Sequence, residues 1–436
     1  MRLSPGGAIA QIAIVAALPA GLGTATPAHS GDLEFYSRDE LAAIYRHSPL
    51  RPLPPDPTDR VADDTRAALF GQTLFFDVRL SINDRISCAS CHQPDRAFTD
   101  GRALAKTLAA GIRNTPTLLN AAYQHWFFWD GRSDSMWSQA LQVLENPQEF
   151  GSDRLHIAHA IYGSDDLRRR YEQLFGAMPP LADVARYPLH ARPGASPEGL
   201  QGRAWAGMSA ADRDTLNRIF SNVGKALEAY ERKLVSRNAP FDEYVDGLKT
   251  NDPAKLAALS SAAKRGLKLF VGAARCDLCH AGPDFSDGEF HNIGLPVLPG
   301  TAADTGRTAG ILQLKADPFN GGGPYSDQPD GPAKDKLAFL PSPETGLGSF
   351  RTPTLRNVAL TAPYMRDGRF ATLQQVVQFY AEGRAAQRGR LVGVREATLD
   401  LVPHFTRGQI SDLVAFLEAL SGVPLPAALT RRPSPS

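Results

Sequence analysis

Cys88-Ala-Ser-Cys91-His92 and Cys276-Asp-Leu-Cys279-His280 are two copies of one pentad, and together they use all four cysteines of the 436-residue chain. The pentad has a mechanical meaning. Two cysteines separated by two residues form thioethers to the vinyl groups of a haem, and the histidine that follows reaches the iron as proximal ligand. No cysteine is left for a disulfide or a further metal site, so chance and zinc are poor competitors. The expectation is two covalently bound haem c groups, held by Cys88, Cys91 and His92 and by Cys276, Cys279 and His280.

Outward from the pentads the chain repeats itself. Gly71-x-x-Leu74-Phe75 precedes the first and Gly266-x-x-Leu269-Phe270 the second, while Phe98-Thr-Asp-Gly101 and Phe285-Ser-Asp-Gly288 follow them. Thr115-Pro-Thr-Leu-Leu-Asn120 is matched by Thr352-Pro-Thr-Leu-Arg-Asn357, and Asp130-Gly-Arg132 by Asp367-Gly-Arg369. The chain therefore reads as a duplicated haem domain. Asp212 to Val235 and Gln409 to Leu420 carry apolar residues at helical intervals, and alternating strands are scarce, so the fold is expected to be mostly helical. Pro49 to Pro57, with five prolines, reads as an extended wrap, and Met178–Gln201 and Asp317–Gly348 read as loops.

The repeat lets each half annotate the other. Tyr380 stands 13 residues past Asp367 on a helical stretch, and 13 past Asp130 stands Val143, which cannot ligate iron. One iron is thus expected to be closed by His280 and Tyr380, the other to carry His92 and an open face. Peroxide binds at an open iron, whereas an anionic phenolate favours the higher oxidation states of a closed one.

The 47 basic residues nearly cancel the 46 acidic ones, and no run of one sign points to nucleic acid or a membrane surface. Ala8 to Ala20 is apolar apart from Gln11, follows Arg2, and leads to Thr26-Pro27-Ala28. That run is too short to span a membrane and reads as a cleaved signal peptide, which with c-type haem implies the periplasm.

From about Asp63 to Leu420 the chain resembles the bacterial dihaem cytochrome c peroxidase and MauG superfamily. The carrying residues are Leu74-Phe-Phe-Asp77-x-Arg79-Leu80-Ser81, Arg113-Asn-Thr-Pro-Thr117, Phe128-Trp-Asp-Gly-Arg132, Phe290-His-Asn-Ile-Gly294 and Pro353-Thr-Leu-Arg-Asn357 with Pro363-Tyr364. The resemblance implies a mainly α fold of two cytochrome c-like haem domains related by internal duplication, with long irregular loops. Residues 1–28 would be the signal peptide, 29–235 the peroxidatic domain, 236–425 the second haem domain and 426–436 a tail.

Carried over residue by residue, the resemblance makes Trp129 the tryptophan between the haems and Gln139 and Glu149 the polar pair over the peroxide-binding iron. Asn114, Thr361 and Pro363 would supply the oxygen ligands of an inter-haem calcium. Tyr380 falls where peroxidases of the family place methionine and MauG places tyrosine. The loop from Gln93 to Ile112 holds no histidine, whereas classical members cap the peroxidatic haem from it, so no reductive activation is expected. Both departures point to the MauG branch. Against a full match, Ala274 stands where MauG-type enzymes carry a surface tryptophan, and Val143 where MauG has proline.

Peroxide cleavage needs a base to carry the proton from the inner to the outer oxygen. Glu149 is the candidate, with Gln139 orienting the peroxide and Trp129 coupling the haems. Trp126, Trp137 and Trp205 read as packing residues, and His291 as support for a haem propionate. The function expected is a periplasmic enzyme that uses hydrogen peroxide to form a high-valent dihaem state and oxidise an aromatic residue, tryptophan above others, of a partner protein. Two alternatives stay open: a cytochrome c peroxidase drawing electrons from a small cytochrome or copper protein, and a dihaem cytochrome that only transfers electrons.

Overall fold

The computed structural model describes residues 31–194, 199–386 and 388–434. The expected signal peptide lies outside them. Among the described residues no helix is long and apolar enough to cross a membrane.

Seven helices carry the architecture: α1 (Arg38–Arg46), α2 (Thr65–Phe75), α3 (Met136–Glu145), α4 (Ala210–Glu231), α5 (Ser261–Val271), α6 (Leu373–Glu382) and α7 (Arg407–Glu418). Local chemistry starts them. Asp64, Ser135, Ser209 and Ser260 accept main-chain N–H groups at the starts of α2, α3, α4 and α5, and Thr372 with Gln375 and Thr406 with Gln409 form capping boxes on α6 and α7. The mainly helical expectation holds. Among the described residues, strand is confined to β1 (Phe290–His291) and β2 (Phe350–Arg351), antiparallel with Phe290 opposite Arg351. Of the stretches read as loops, 317–348 also contains a short helix, Pro332–Ala338.

Each half buries its core in the same way. In the first, α2 and α3 pack against α4; in the second, α5 and α6 pack against α7. The glycines of the repeated Gly-x-x-Leu-Phe segments sit at the closest crossings. A Cβ on Gly71 would overlap the carbonyl of Ala226 on α4, and one on Gly266 the carbonyl of Asp412 on α7. The two asparagines of the repeat also match. Asn120 and Asn357 adopt left-handed φ of 61° and 62°, and their Oδ1 atoms accept from the backbone N–H of Ser236 (2.8 Å) and Gly422 (2.9 Å). Ser236 ties the halves together, because its hydroxyl also donates to Asn357 Oδ1 at 3.2 Å.

The ends of the chain cross between the two cores. Tyr36 and Ile44, expected in the first unit, are buried in the second core with Phe241, Phe270 and Phe416. Phe319 and Leu425, from the second half, and Leu429, from the expected tail, join the first core, Phe319 buried in it and the two leucines packed against it. The reason is amphipathic surface that local folding leaves uncovered. Helix α1 is too short to be stable alone and finds its apolar partner across the molecule.

Candidate active site

Each pentad begins as a short turn. The N–H of His92 donates to Cys88 O and that of His280 to Cys276 O, both at 2.9 Å. The rings are then fixed identically: His92 Nδ1 bonds the Phe98 carbonyl and His280 Nδ1 the Phe285 carbonyl, each at 3.0 Å. Phe98 and Phe285 turn those carbonyls inward with left-handed φ of 58° and 51°. A side-chain-bearing residue held there costs about 1–2 kcal/mol, which the surrounding packing must offset. With Nδ1 engaged, Nε2 is the nitrogen available to a metal, as in other histidine ligand sites.

The donor chemistry fits haem c. All four cysteines are free of disulfide, and burial pushes the Cys91 thiol up to about 11 and the Cys276 thiol to about 12. A thiol is the group that adds across a haem vinyl, and the histidine that follows each cysteine pair supplies the iron ligand. Around the second pentad lies a cleft with about 1800 Å³ of space between atoms, part of it open to solvent. Its surface is mostly apolar, and Phe270, Leu413 and Val377 form part of its walls.

Tyr380, in the last turn of α6, faces this same cleft with Cys276, Cys279 and His280. Burial raises its phenol well above the ordinary range, and the two nearby thiols add to the effect. Trp129 also borders the cleft. Its indole N–H donates to the Asn114 carbonyl at 2.9 Å and its own carbonyl accepts from Arg351 on β2 at 2.8 Å. Asn114, Thr361 and Pro363 line the cleft too, and the Asn114 amide is oriented by donating to Arg102 O at 2.8 Å.

At the first pentad, α3 turns Trp137, Ala140, Leu141 and Leu144 into the core and leaves Gln139 and Val143 half-buried on another face, one turn apart. The Gln139 N–H donates to the Ser135 carbonyl at 3.1 Å, and its side-chain amide makes no hydrogen bond among the described residues. Glu149 follows in the loop beyond α3 and accepts from Asn146 Nδ2 at 3.1 Å. Burial raises its carboxyl, opposed by the Arg132 guanidinium, and its charge is felt at Cys91. Arg132, paired with Asp130 at 3.1 Å and stacked 3.3 Å from the Phe128 ring, was not singled out by the sequence reading.

Two further histidines flank the second pentad. His291, expected near a propionate, lies between Asp287 (2.7 Å) and Glu396 (3.3 Å), and its ring reaches within 4.8 Å of the Cys279 sulfur. The Asp287 hydrogen bond leads in raising its imidazole to about 11. His47, which nothing in the sequence marked, is buried at the end of α1 and bonds the His280 carbonyl at 3.1 Å. Trp126 lies between Arg307 and Lys336, 4.4 and 3.8 Å from its ring, as packing requires.

Residues 65–250 match the family model described as di-haem cytochrome c peroxidase. Over 363 residues the chain is 33% identical to cytochrome-c peroxidase IdrP2 of Denitromonas iodatirespirans, covering 81% of each chain. Over 407 residues it is 30% identical to methylamine utilization protein MauG of Paracoccus denitrificans, covering 83% of this chain and 90% of that one. Its fold is similar to a crystal structure of a MauG-like protein associated with microbial copper homeostasis, with TM-score 0.59, 25% identity and coverage of 88% and 98%. It is also similar to the diheme peroxidase BthA of Burkholderia thailandensis, with TM-score 0.61, 22% identity and coverage of 89% and 94%.

Proposed function

The chain belongs to the di-haem cytochrome c peroxidase and MauG family and is a haem-dependent oxidoreductase acting with peroxide; on that premise we propose that it oxidises an aromatic residue, tryptophan above others, of a partner protein. The observation that carries this reading is an asymmetry. Tyr380 shares a cleft with Cys276, Cys279 and His280, whereas its register partner is the inert Val143. In this reading His280 and Tyr380 close the second iron, and His92 alone holds the first. When bound, the haems supply irons that take up and share the oxidising equivalents of peroxide.

The chain's own groups do the rest. Glu149, desolvated and near Cys91, takes the proton of the inner peroxide oxygen and delivers it to the outer one, which leaves as water. Gln139 presents its free amide to orient the peroxide. Trp129, fixed by its bond to Asn114, places an aromatic ring between the two halves. An inter-haem calcium on Asn114, Thr361 and Pro363 fits an all-oxygen donor set. Calorimetric titration of chelator-treated protein with calcium tests it, with heat expected from the native chain and none from Asn114→Ala. Export to the periplasm accords with the pentad chemistry.

The second reading is a peroxidase fed by a small cytochrome or copper protein, a reading favoured by the relatives named cytochrome-c peroxidase. Adding peroxide to the fully ferric protein separates the two. The proposal expects a long-lived oxidised spectrum that decays only with an oxidisable partner protein. Prompt turnover with reduced cytochrome c would favour the second reading, and an unchanged spectrum would overturn both.

A further inference from the structure

The oxidising equivalents proposed above must leave the second cleft to reach a partner protein. The position where MauG-type enzymes carry a surface tryptophan offers no exit here. It is Ala274, fully buried and aliphatic. Three tryptophan or tyrosine rings line the cleft: Trp129, Tyr380 and Tyr364. Trp129 is engaged between the two halves, and Tyr380 stands beside the pentad cysteines.

Tyr364 differs from both. Its ring lines the cleft and packs against the second core; like Trp129 and Tyr380 it is half-buried, but its phenol lies in the field of Glu418, an exposed carboxylate on α7. Its backbone is pinned by an antiparallel bridge to Phe370, with Tyr364 N–H donating to Phe370 O at 2.7 Å around the Asp367-Gly368 turn. The first half has the same bridge, Phe127 to Ser133. There the ring is Phe127, which is buried and cannot be oxidised at comparable potential. The two halves therefore differ at this register in the same sense as they differ at Tyr380 and Val143. At this register the oxidisable ring stands on the side of Tyr380, and phenylalanine on the other.

We propose that Tyr364 is the relay through which oxidising equivalents pass from the second haem site to an aromatic residue of a partner docked beside Glu418. This rests on the reading above that peroxide supplies those equivalents. In each transfer Tyr364 gives one electron to the oxidised haem site, its phenolic O–H bond breaks, and the proton goes to Glu418 or solvent. The resulting phenoxyl takes one electron from the partner's ring and recovers a proton. Two such transfers remove two electrons from the partner, while peroxide takes up two electrons and two protons and leaves as two waters.

The Tyr364 hydroxyl makes no hydrogen bond among the described residues, so Tyr364→Phe removes the redox function with little loss of packing. The test is paramagnetic resonance of holoprotein frozen after peroxide addition without partner, with ring-deuterated tyrosine incorporated, followed by peptide mapping for oxidised tyrosine. The expected result is an organic-radical signal that narrows on deuteration, with oxidation mapped to Tyr364. Both are lost in Tyr364→Phe and kept in Tyr123→Phe, while the haem absorption change on peroxide is the same in all three. A radical signal that persists in Tyr364→Phe, or is insensitive to tyrosine deuteration, overturns the relay alone. A wild-type protein whose haem absorption does not respond to peroxide overturns the functional reading and the relay with it.

Discussion

Glu149 and Tyr380 are both shaped by burial, with opposite chemical uses. Burial raises the Glu149 carboxyl, so a group that is an indifferent base in water becomes a stronger one here. A base must be ionised to act. The rate of reaction with peroxide is therefore expected to fall as pH drops through the raised Glu149 value, and Glu149→Gln to abolish that acid limb and lower the rate by about 100-fold. Stopped-flow rates against pH check this; an acid limb that survives in Glu149→Gln contradicts it. For Tyr380 the same desolvation disfavours the free phenolate, so ionisation needs a cation at the phenolic oxygen, which a ferric iron would supply in the proposed ligation. The place of Tyr380 in the cleft of the second pentad was legible in the sequence, because the repeat register sets it against Val143. His47 was not, since a histidine ending a terminal helix carries no local sign that it meets the His280 carbonyl 233 residues away.

At the scale of elements, the two Gly-x-x-Leu-Phe segments have a shared physical reason. Glycine lets α2 and α5 touch the backbones of α4 and α7, and a main-chain carbonyl cannot step aside for a methyl group. Gly71→Ala and Gly266→Ala are each expected to destabilise their half by about 1–3 kcal/mol or more through overpacking. Gly207→Ala, where an added Cβ meets nothing within 4 Å, should be close to neutral. Thermal melts of the three variants check the contrast, and equal melting temperatures would contradict it. The paired motifs made these helices and their partners readable from the chain. The exchange of ends was not readable. Patterning says that Ile44 or Leu429 will be buried, but not against which half, because both cores offer apolar surface of the same kind.

Over the whole molecule, the first half carries buried acids whose neutral forms the fold prefers. Burial raises the Glu231 carboxyl from an ordinary 4.5 to about 8, and desolvation raises Glu228 and Asp59 as well. A carboxyl raised on folding contributes stability that is complete below its unfolded value and is lost as pH rises through its folded value. The melting temperature should therefore fall by a few degrees between about pH 6 and pH 9, and the fall should be shallower in Glu231→Gln. A melting temperature that is flat or rises across that window contradicts the assignment. The same whole-molecule view frames the central claim, which is that two halves with matching backbones hold two unlike irons. Resonance spectroscopy of the resting ferric holoprotein, before and after Tyr380→Phe, tests it most directly. The account predicts one high-spin and one low-spin centre, with the low-spin centre alone altered by the substitution; two equivalent low-spin centres, or ligation unchanged in Tyr380→Phe, would contradict it.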